Sequence, residues 1–216
     1  MLLIKIATGL TFIFSLSLGV FTLVRNPRSK INLTWFLACM AVALWSGAYF
    51  ILKFITDEET AKIFLYPLYI GTILMPIFFF HFSVKFLLKN SITLYFGYLI
   101  ALILVILFSL TKVIVDGVEY IDFYGFHGNI QPAVYVMYLY YFSFFIYAFI
   151  LLYQEYKRNN GIKSEQAKYM LLALVIGVGG GATNFITDVF GSLPYGQILV
   201  PLYPIFITYG IFIKKY

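Results

Sequence analysis

Polar and apolar positions are segregated along this chain into seven long apolar runs with short polar stretches between them. The runs cover about residues 3–24, 33–55, 63–86, 92–111, 132–153, 169–190 and 197–213, and most are about 20 residues long, enough for an α-helix to cross a bilayer. In lipid, backbone amides must be satisfied within the spanning segment itself, so runs of this kind read as helices. The pattern predicts an all-α integral membrane protein, a seven-transmembrane helix bundle forming a single domain over residues 1–216. The first run is too long for a signal peptide, and no small-residue cleavage pattern precedes "RNPRSKIN", so it reads as a retained helix.

Two connections are longer than the rest. "TKVIVDGVEYIDFYGFHGNIQP", between helices 4 and 5, holds "VIV" and "VEYI" on either side of Asp116-Gly117, the two-residue signal of a tight turn, and predicts a short β-hairpin. Its second half carries Tyr120, Phe123, Tyr124, Phe126 and His127, aromatic residues that suit either a cavity cap or the headgroup level of a membrane. The stretch "QEYKRNNGIKSEQAK", before helix 6, is polar, with Asn159-Asn160-Gly161 as its turn.

Composition agrees with the pattern. The chain is 62% hydrophobic and only 11% charged, whereas soluble domains run near half apolar and a quarter charged. The distribution of charge adds an orientation. Arg25, Arg28, Lys30, Lys85, Lys89, Lys157, Arg158, Lys163, Lys168, Lys214 and Lys215 lie at one set of helix ends; Lys5, Lys53, Lys62 and Lys112 lie at the other. Short cytoplasmic loops hold the excess of Lys and Arg, so the N-terminus and the hairpin are expected outside and the C-terminus in the cytoplasm. The net charge of +6 then reflects topology and anionic lipid, and nucleic acid is not an expected partner. Cys39, the single cysteine, lies in an apolar run and reads as a buried helix residue.

The polar exception inside the runs is "GVGGGATNFITDVFG", Gly177 to Gly191. Gly177, Gly181, Asn184 and Asp188 are spaced by four, three and four, which is one helix face. Counted from Tyr169, Asn184 stands roughly 22 Å and Asp188 roughly 28 Å along the helix, toward the outer boundary. Small residues four apart allow close helix packing, so Gly177 and Gly181 read as a packing face, with Thr183, Asn184 and Asp188 above it. Asn184 admits two readings, an interhelical hydrogen bond or a ligand contact; Asp188 admits an ion pair or a ligand contact. Trp45 and Tyr49 on helix 2, Tyr66, Tyr69 and Thr72 on helix 3, and Tyr135 and Tyr138 on helix 5 are expected at the same depth. Together these residues would line an outward-opening pocket with aromatic walls.

Enzyme chemistry finds no footing. The chain has no His-Glu-x-x-His zinc pattern, Gly-x-Ser-x-Gly elbow, phosphate loop or pair of intramembrane carboxylates. The lysines of helix 7 lie at its end, so a retinal pump is excluded as well. No metal or other cofactor is expected. His81, one turn before Lys85, reads as a histidine bonded to nearby backbone or as a proton relay. Pro76, Pro201 and Pro204 are expected to kink their helices.

Several segments together resemble the N-terminal seven-transmembrane region of bacterial sensor histidine kinases: "RNPRSKINLTWF", "ALWSGAYF", "DEETAKIFLYPLYIGTILMPIFFFHFSVKF", and "GGGATNFITDVFGSLPYGQ" followed by "ITYGIFIKKY". The resemblance implies a sensory input module that takes a small ligand or reports a membrane state. It also implies a cytoplasmic output domain or partner protein beyond helix 7, with the lipid bilayer and a second copy of the chain as further partners. The residues present include no phosphoacceptor or ATP-binding segment, so they are not expected to be catalytic themselves. A small transporter or channel using Asn184 and Asp188 is the alternative.

Overall fold

A computed structural model of the chain describes residues 2–121, 125–158 and 161–214, the side chain of Asp188 excepted. Among the described residues, seven helical segments are long and apolar enough to cross a membrane. Six are α-helices: α1 Leu2–Arg25, α2 Lys30–Leu52, α3 Glu58–Phe86, α4 Ile92–Leu110, α5 Val134–Arg158 and α6 Ile162–Phe190. The seventh span, Tyr195–Ile213, is not a plain α-helix. It runs as a 3-10 helix over Tyr195–Leu202, a short α7 over Tyr203–Ile207 and a π-helix over Thr208–Ile213.

Local chemistry sets several boundaries. Asp57 caps α3 by accepting the Thr60 backbone N–H at 2.8 Å, and that hydrogen bond holds its carboxyl below the usual range. Lys62 reaches back to Glu58 at 2.9 Å and Glu59 at 3.0 Å in the same exposed turn. Gly191 ends α6 at φ +65°, the left-handed position that favours glycine. The stretch expected as a polar loop before α6 is mostly helix: α5 continues through Arg158 and α6 begins at Ile162. Ser164 bridges the two helices by donating to the Tyr156 carbonyl at 2.9 Å. The basic last turn of α5 and Glu165 in the first turn of α6 suit the helix dipoles, so both helices extend past their apolar runs.

The hairpin is present between α4 and α5, with its turn elsewhere than expected. β1 Val115–Ile121 pairs antiparallel with β2 Gly125–Ile130, and the pairing runs on past Asp116-Gly117 to Ile121 opposite Gly125; residues 122–124 lie outside the described residues. Asp116 and Gly117 instead form a bulge within β1, where pairing steps from Val115–Ile130 to Val118–Gly128. Gly117 has φ +87°. A glycine with positive φ serves a bulge as readily as a turn, so the dipeptide alone did not separate the two.

The helices form a ring. α1 packs on α2, α2 on α3, α3 on α5, α5 on α6, and α6 on the seventh span, which returns to α1. α4 stands outside, against α3. At the basic end, the Arg25 guanidinium donates to the Phe212 carbonyl, tying α1 to the seventh span. Nearby, the Asn32 amide donates to the Thr22 carbonyl at 2.6 Å, tying α2 to α1. His81 bonds neither to backbone nor into a relay of charges among the described residues; its Nδ1 is 2.7 Å from the Tyr98 hydroxyl of α4. Toward the basic end, the ring interior is filled by Trp35, Phe80, Phe82, Leu152, Met170 and Ile207, all fully buried. The half nearer the hairpin is where space remains.

A candidate ligand cavity inside the helix ring

Two cavities that share part of their lining occupy that half. The deeper has a volume of about 50 Å³ and lies between α2, α3, α5, α6 and the seventh span, lined by Ala38, Val42, Met75, Phe79, Tyr141, Phe145, Leu174, Gly177, Gly181, Val200 and Tyr203 among others. The shallower has about 40 Å³ and is lined by Tyr49, Leu52, Leu68, Tyr69, Met137, His127 and Gly128. Trp45, Thr72, Asn184 and Phe185 border both. Each exceeds several-fold the roughly 10–15 Å³ that one water needs on the same measure.

The character changes between the two. The deeper cavity is almost wholly apolar, while the shallower adds the Tyr49 and Tyr69 rings with their hydroxyls, and His127. At the junction, the polar side chains are held against their own helices. Asn184 donates to the Gly181 carbonyl at 2.8 Å, and Thr72 to the Leu68 carbonyl at 2.9 Å. Such local bonds fix the rotamers of both side chains. Trp45 and Tyr49 stack with ring centroids 5.9 Å apart and planes 12° off parallel, as their four-residue spacing allows. Above them, the Lys53 ammonium lies 4.1 Å from the Tyr49 ring centroid, a cation–π contact.

The hairpin closes the shallower cavity. Phe126, His127 and Gly128 are buried, and a Cβ at Gly128 would lie 2.5 Å from the Tyr69 hydroxyl, so only glycine lets the strand approach so closely. Because a carbonyl can only accept, the His127 Nδ1–H donates to Glu119 O, 3.1 Å away, which leaves Nε2 as an acceptor in the neutral ring. Burial lowers the His127 pKa; the Glu119 carbonyl and charge oppose this, and Lys53 adds to it.

The residues expected at a pocket are thus divided. Asn184, Trp45, Tyr49 and Tyr69 border the cavities. Tyr138 is buried one layer back, its ring centroid 4.3 Å from that of Phe185. Tyr66 and Tyr135 point elsewhere, 50% and 56% exposed, against Phe108 and Tyr138 respectively. Thr183 packs on Gly196 of the seventh span and donates to the Gly180 carbonyl at 2.6 Å. Asp188 continues α6, with its side chain outside the described residues.

The glycines divide as well. A Cβ at Gly177 would meet the Tyr203 side chain at 3.1 Å, and one at Gly181 would find only the Tyr141 hydroxyl, at 3.8 Å. Both border the deeper cavity. The close backbone approach expected at them falls at Gly180, where a Cβ would lie 2.5 Å from the Gly196 carbonyl oxygen. With four glycines in five positions, spacing alone could not separate the face toward the cavity from the face toward the seventh span.

Phe185 and Tyr203 were not among the candidates, although each has a central place; Thr72, expected beside Tyr69, borders both cavities. Phe185 sits within 5.6 Å of the Tyr138, Tyr141 and Phe142 ring centroids. Tyr203 joins three elements: its hydroxyl is 3.2 Å from Ser15 Oγ of α1 and its ring packs edge-on against Trp35 of α2. In a chain with 24 Phe and 19 Tyr, no local signal sets these residues apart.

A seven-helix membrane bundle with a central cavity and a strand pair over one end defines the class of this protein. Comparison with known families places it further: residues 7–215 match the N-terminal 7TM region of histidine kinase, and the chain belongs to that family. The matched region is the non-catalytic input part of such kinases. No curated protein matches the chain.

Proposed function

We propose that the chain is a sensory input module of the bacterial inner membrane, in which a small ligand enters the two neighbouring cavities from the outer side and biases the arrangement of the seventh span. In this reading the hairpin faces outward and the end bearing Arg25 and Lys214 faces the cytoplasm, following the imbalance of eleven basic residues over four. The observation that carries the proposal is the pair of cavities bordered by Trp45, Thr72, Asn184 and Phe185. An apolar inner part and a polar, aromatic outer part give an amphipathic small molecule a defined orientation. The filled interior toward the basic end supports sensing over transport, because the described residues there are large, apolar and fully buried rather than polar along a route.

A ligand can shift such a module only by binding one arrangement better than another. The test joins the chain to a histidine kinase core and reads autophosphorylation against the thermal midpoint in detergent. Asn184→Ala and Trp45→Phe are expected to abolish the response to the stimulus while the midpoint stays within a few degrees of wild type. Loss of output only in step with loss of stability would leave these residues as packing elements and reject the cavity as the input. Cysteine labelling from outside the cell checks orientation: Glu59→Cys should react and Lys163→Cys should not.

A further inference from the structure

The winding of the seventh span is unlike that of the other six. Its first eight residues, Tyr195–Leu202, form a 3-10 helix, a type in which runs longer than three or four residues are uncommon. Its last six, Thr208–Ile213, form a π-helix. An overwound segment thus stands at the hairpin end, a loosely wound one at the basic end, and the five-residue α7 lies between them. Pro201 and Pro204 sit where the 3-10 winding gives way to α, and each lacks an N–H to donate to the preceding turn. The Pro201 ring also opposes α winding, since it would crowd the carbonyl four residues back.

Hydrogen bonding is unfinished along the same element. Among the described residues, both polar atoms of the fully buried Gln197 amide lack a partner, as does the buried Thr208 hydroxyl. The Trp35 indole N–H is also unpartnered, and its ring packs edge-on against Tyr203 with centroids 6.1 Å apart. Buried polar groups in native proteins are normally satisfied, and leaving them unmet lowers the stability of the arrangement that does so. Their concentration on and against one span marks it as the element with an accessible second arrangement.

We propose that the seventh span is a rewinding element: the Tyr195–Leu202 segment interconverts between 3-10 and α winding and displaces the basic end of the span along its axis. A 3-10 helix rises about 2.0 Å per residue and an α-helix about 1.5 Å, so converting eight residues shortens the segment by about 4 Å. The loosely wound Thr208–Ile213 segment takes up the accompanying rotation. Tyr203 is the first residue of α7 and borders the deeper cavity, so its position is set both by the winding above it and by whatever fills the cavity. At the far end the moving contacts are Gly210 against Tyr169, where a Cβ would lie 2.5 Å from Tyr169 Cβ, and the Phe212 carbonyl against Arg25. The inference rests on winding and unmet hydrogen bonds, and stands whether or not the cavity takes a ligand.

Spin labels at Glu59→Cys and Ile213→Cys test it in lipid nanodiscs by pulsed dipolar spectroscopy. They lie at opposite ends of the bundle, and Cys39 is retained because it is fully buried. Pro201→Ala restores a donor and removes the ring that opposes α winding. It is expected to shorten the interspin distance by about 4 Å, the difference in rise over eight residues. Gln197→Met keeps the shape and removes the unmet amide. It is expected to leave the distance at the wild-type value, to raise the thermal midpoint, and, combined with Pro201→Ala, to return the distance toward wild type. An unchanged distance in a folded Pro201→Ala protein overturns the proposal. If that variant does not assemble, Gln197→Met alone decides, and a midpoint at or below wild type overturns it.

Discussion

The crossing of α2 with α3 and the crossing of α6 with the seventh span use the same device with different results. At the first, Gly71 brings α3 so close that a Cβ would lie 2.6 Å from the Trp45 nitrogen and 2.7 Å from the Ala41 carbonyl oxygen. At the second, Gly180 meets the Gly196 carbonyl oxygen just as tightly. Around Gly71 both partners keep α winding along their whole length, α3 even through Pro67 and Pro76, and Thr72 and Ser46 return their hydroxyls to backbone carbonyls of their own helices. Around Gly180 the partner is a 3-10 segment with two prolines at its end and an unpartnered glutamine inside it. Close glycine contact therefore does not by itself make an interface rigid. Rigidity follows from whether the segments that meet keep one winding and leave no buried side-chain polar group unpartnered.

Substitutions at these contacts break or sharpen the comparison. The largest effect is expected for Gly71→Ala, where a methyl group meets backbone on a helix that cannot yield; a loss of about 3 kcal/mol is expected in reversible unfolding in mixed micelles. Gly180→Ala meets backbone at the same distance but on the adaptable span, so about 1–2 kcal/mol is expected. Gly181→Ala, with room around it, should be neutral or stabilising by up to about 1 kcal/mol through helix propensity. Equal losses at Gly71 and Gly180 would remove the claimed difference in rigidity.

Asn184→Ala comes next in size. Its amide bonds within α6, and interhelical or local hydrogen bonds in membranes contribute roughly 0.6–2 kcal/mol, so a loss near 1 kcal/mol is expected in the same assay. A loss as large as that of Gly71→Ala would make Asn184 a main structural tie of the α6 side.

The smallest effect concerns the hairpin, which rests on the firm α2–α3 side through Gly128 and Tyr69. His127 has a lowered pKa when the hairpin is docked, so the undocked state binds the proton more readily. Docking should therefore be at full strength well above about pH 6.5, the ordinary histidine value, and should weaken as pH falls through it. Glu119 and Lys53 are the charges that act on the ring. Thermal midpoints measured from about pH 8 to pH 5.5 should decline in wild type, and the His127-dependent part of that decline should vanish in His127→Gln. A midpoint flat with pH in wild type, or a decline identical in both proteins, would mean that the ring does not titrate with docking.

Much of the fold was legible because hydrocarbon imposes a length and a composition on every segment that crosses it. The seven runs follow from that constraint, whereas the hairpin between the fourth and fifth was read from its strand-forming residues and the family from the resemblance of several whole segments. The boundaries of α5 and α6 were misjudged where helices continue beyond the apolar core, since hydropathy stops reporting there while helix propensity does not. The candidate site was legible in its polar members. Asn184 and Trp45 stand out in apolar helices, and both border the cavities. Tyr66 and Tyr135 could not be told from Tyr49 and Tyr69 in the same way, because an aromatic ring suits lipid, interface and core alike.

What the sequence determined by itself is the number of crossings, the separation of the basic ends from the others, and the presence of glycine and proline where backbones must approach or cannot bond. These are one-dimensional quantities, set by each residue's own transfer energy and backbone freedom. Which glycine meets a neighbour, which tyrosine turns inward, where the strand reverses, and that the seventh span winds as 3-10, α and π in succession were decided only in the tertiary structure. Those outcomes depend on pairs of segments distant in the chain: Gly180 needs Gly196, Gly128 needs Tyr69, and Tyr203 needs Ser15, 188 residues away. A contact between two surfaces is specified by both, and no single stretch of sequence contains it.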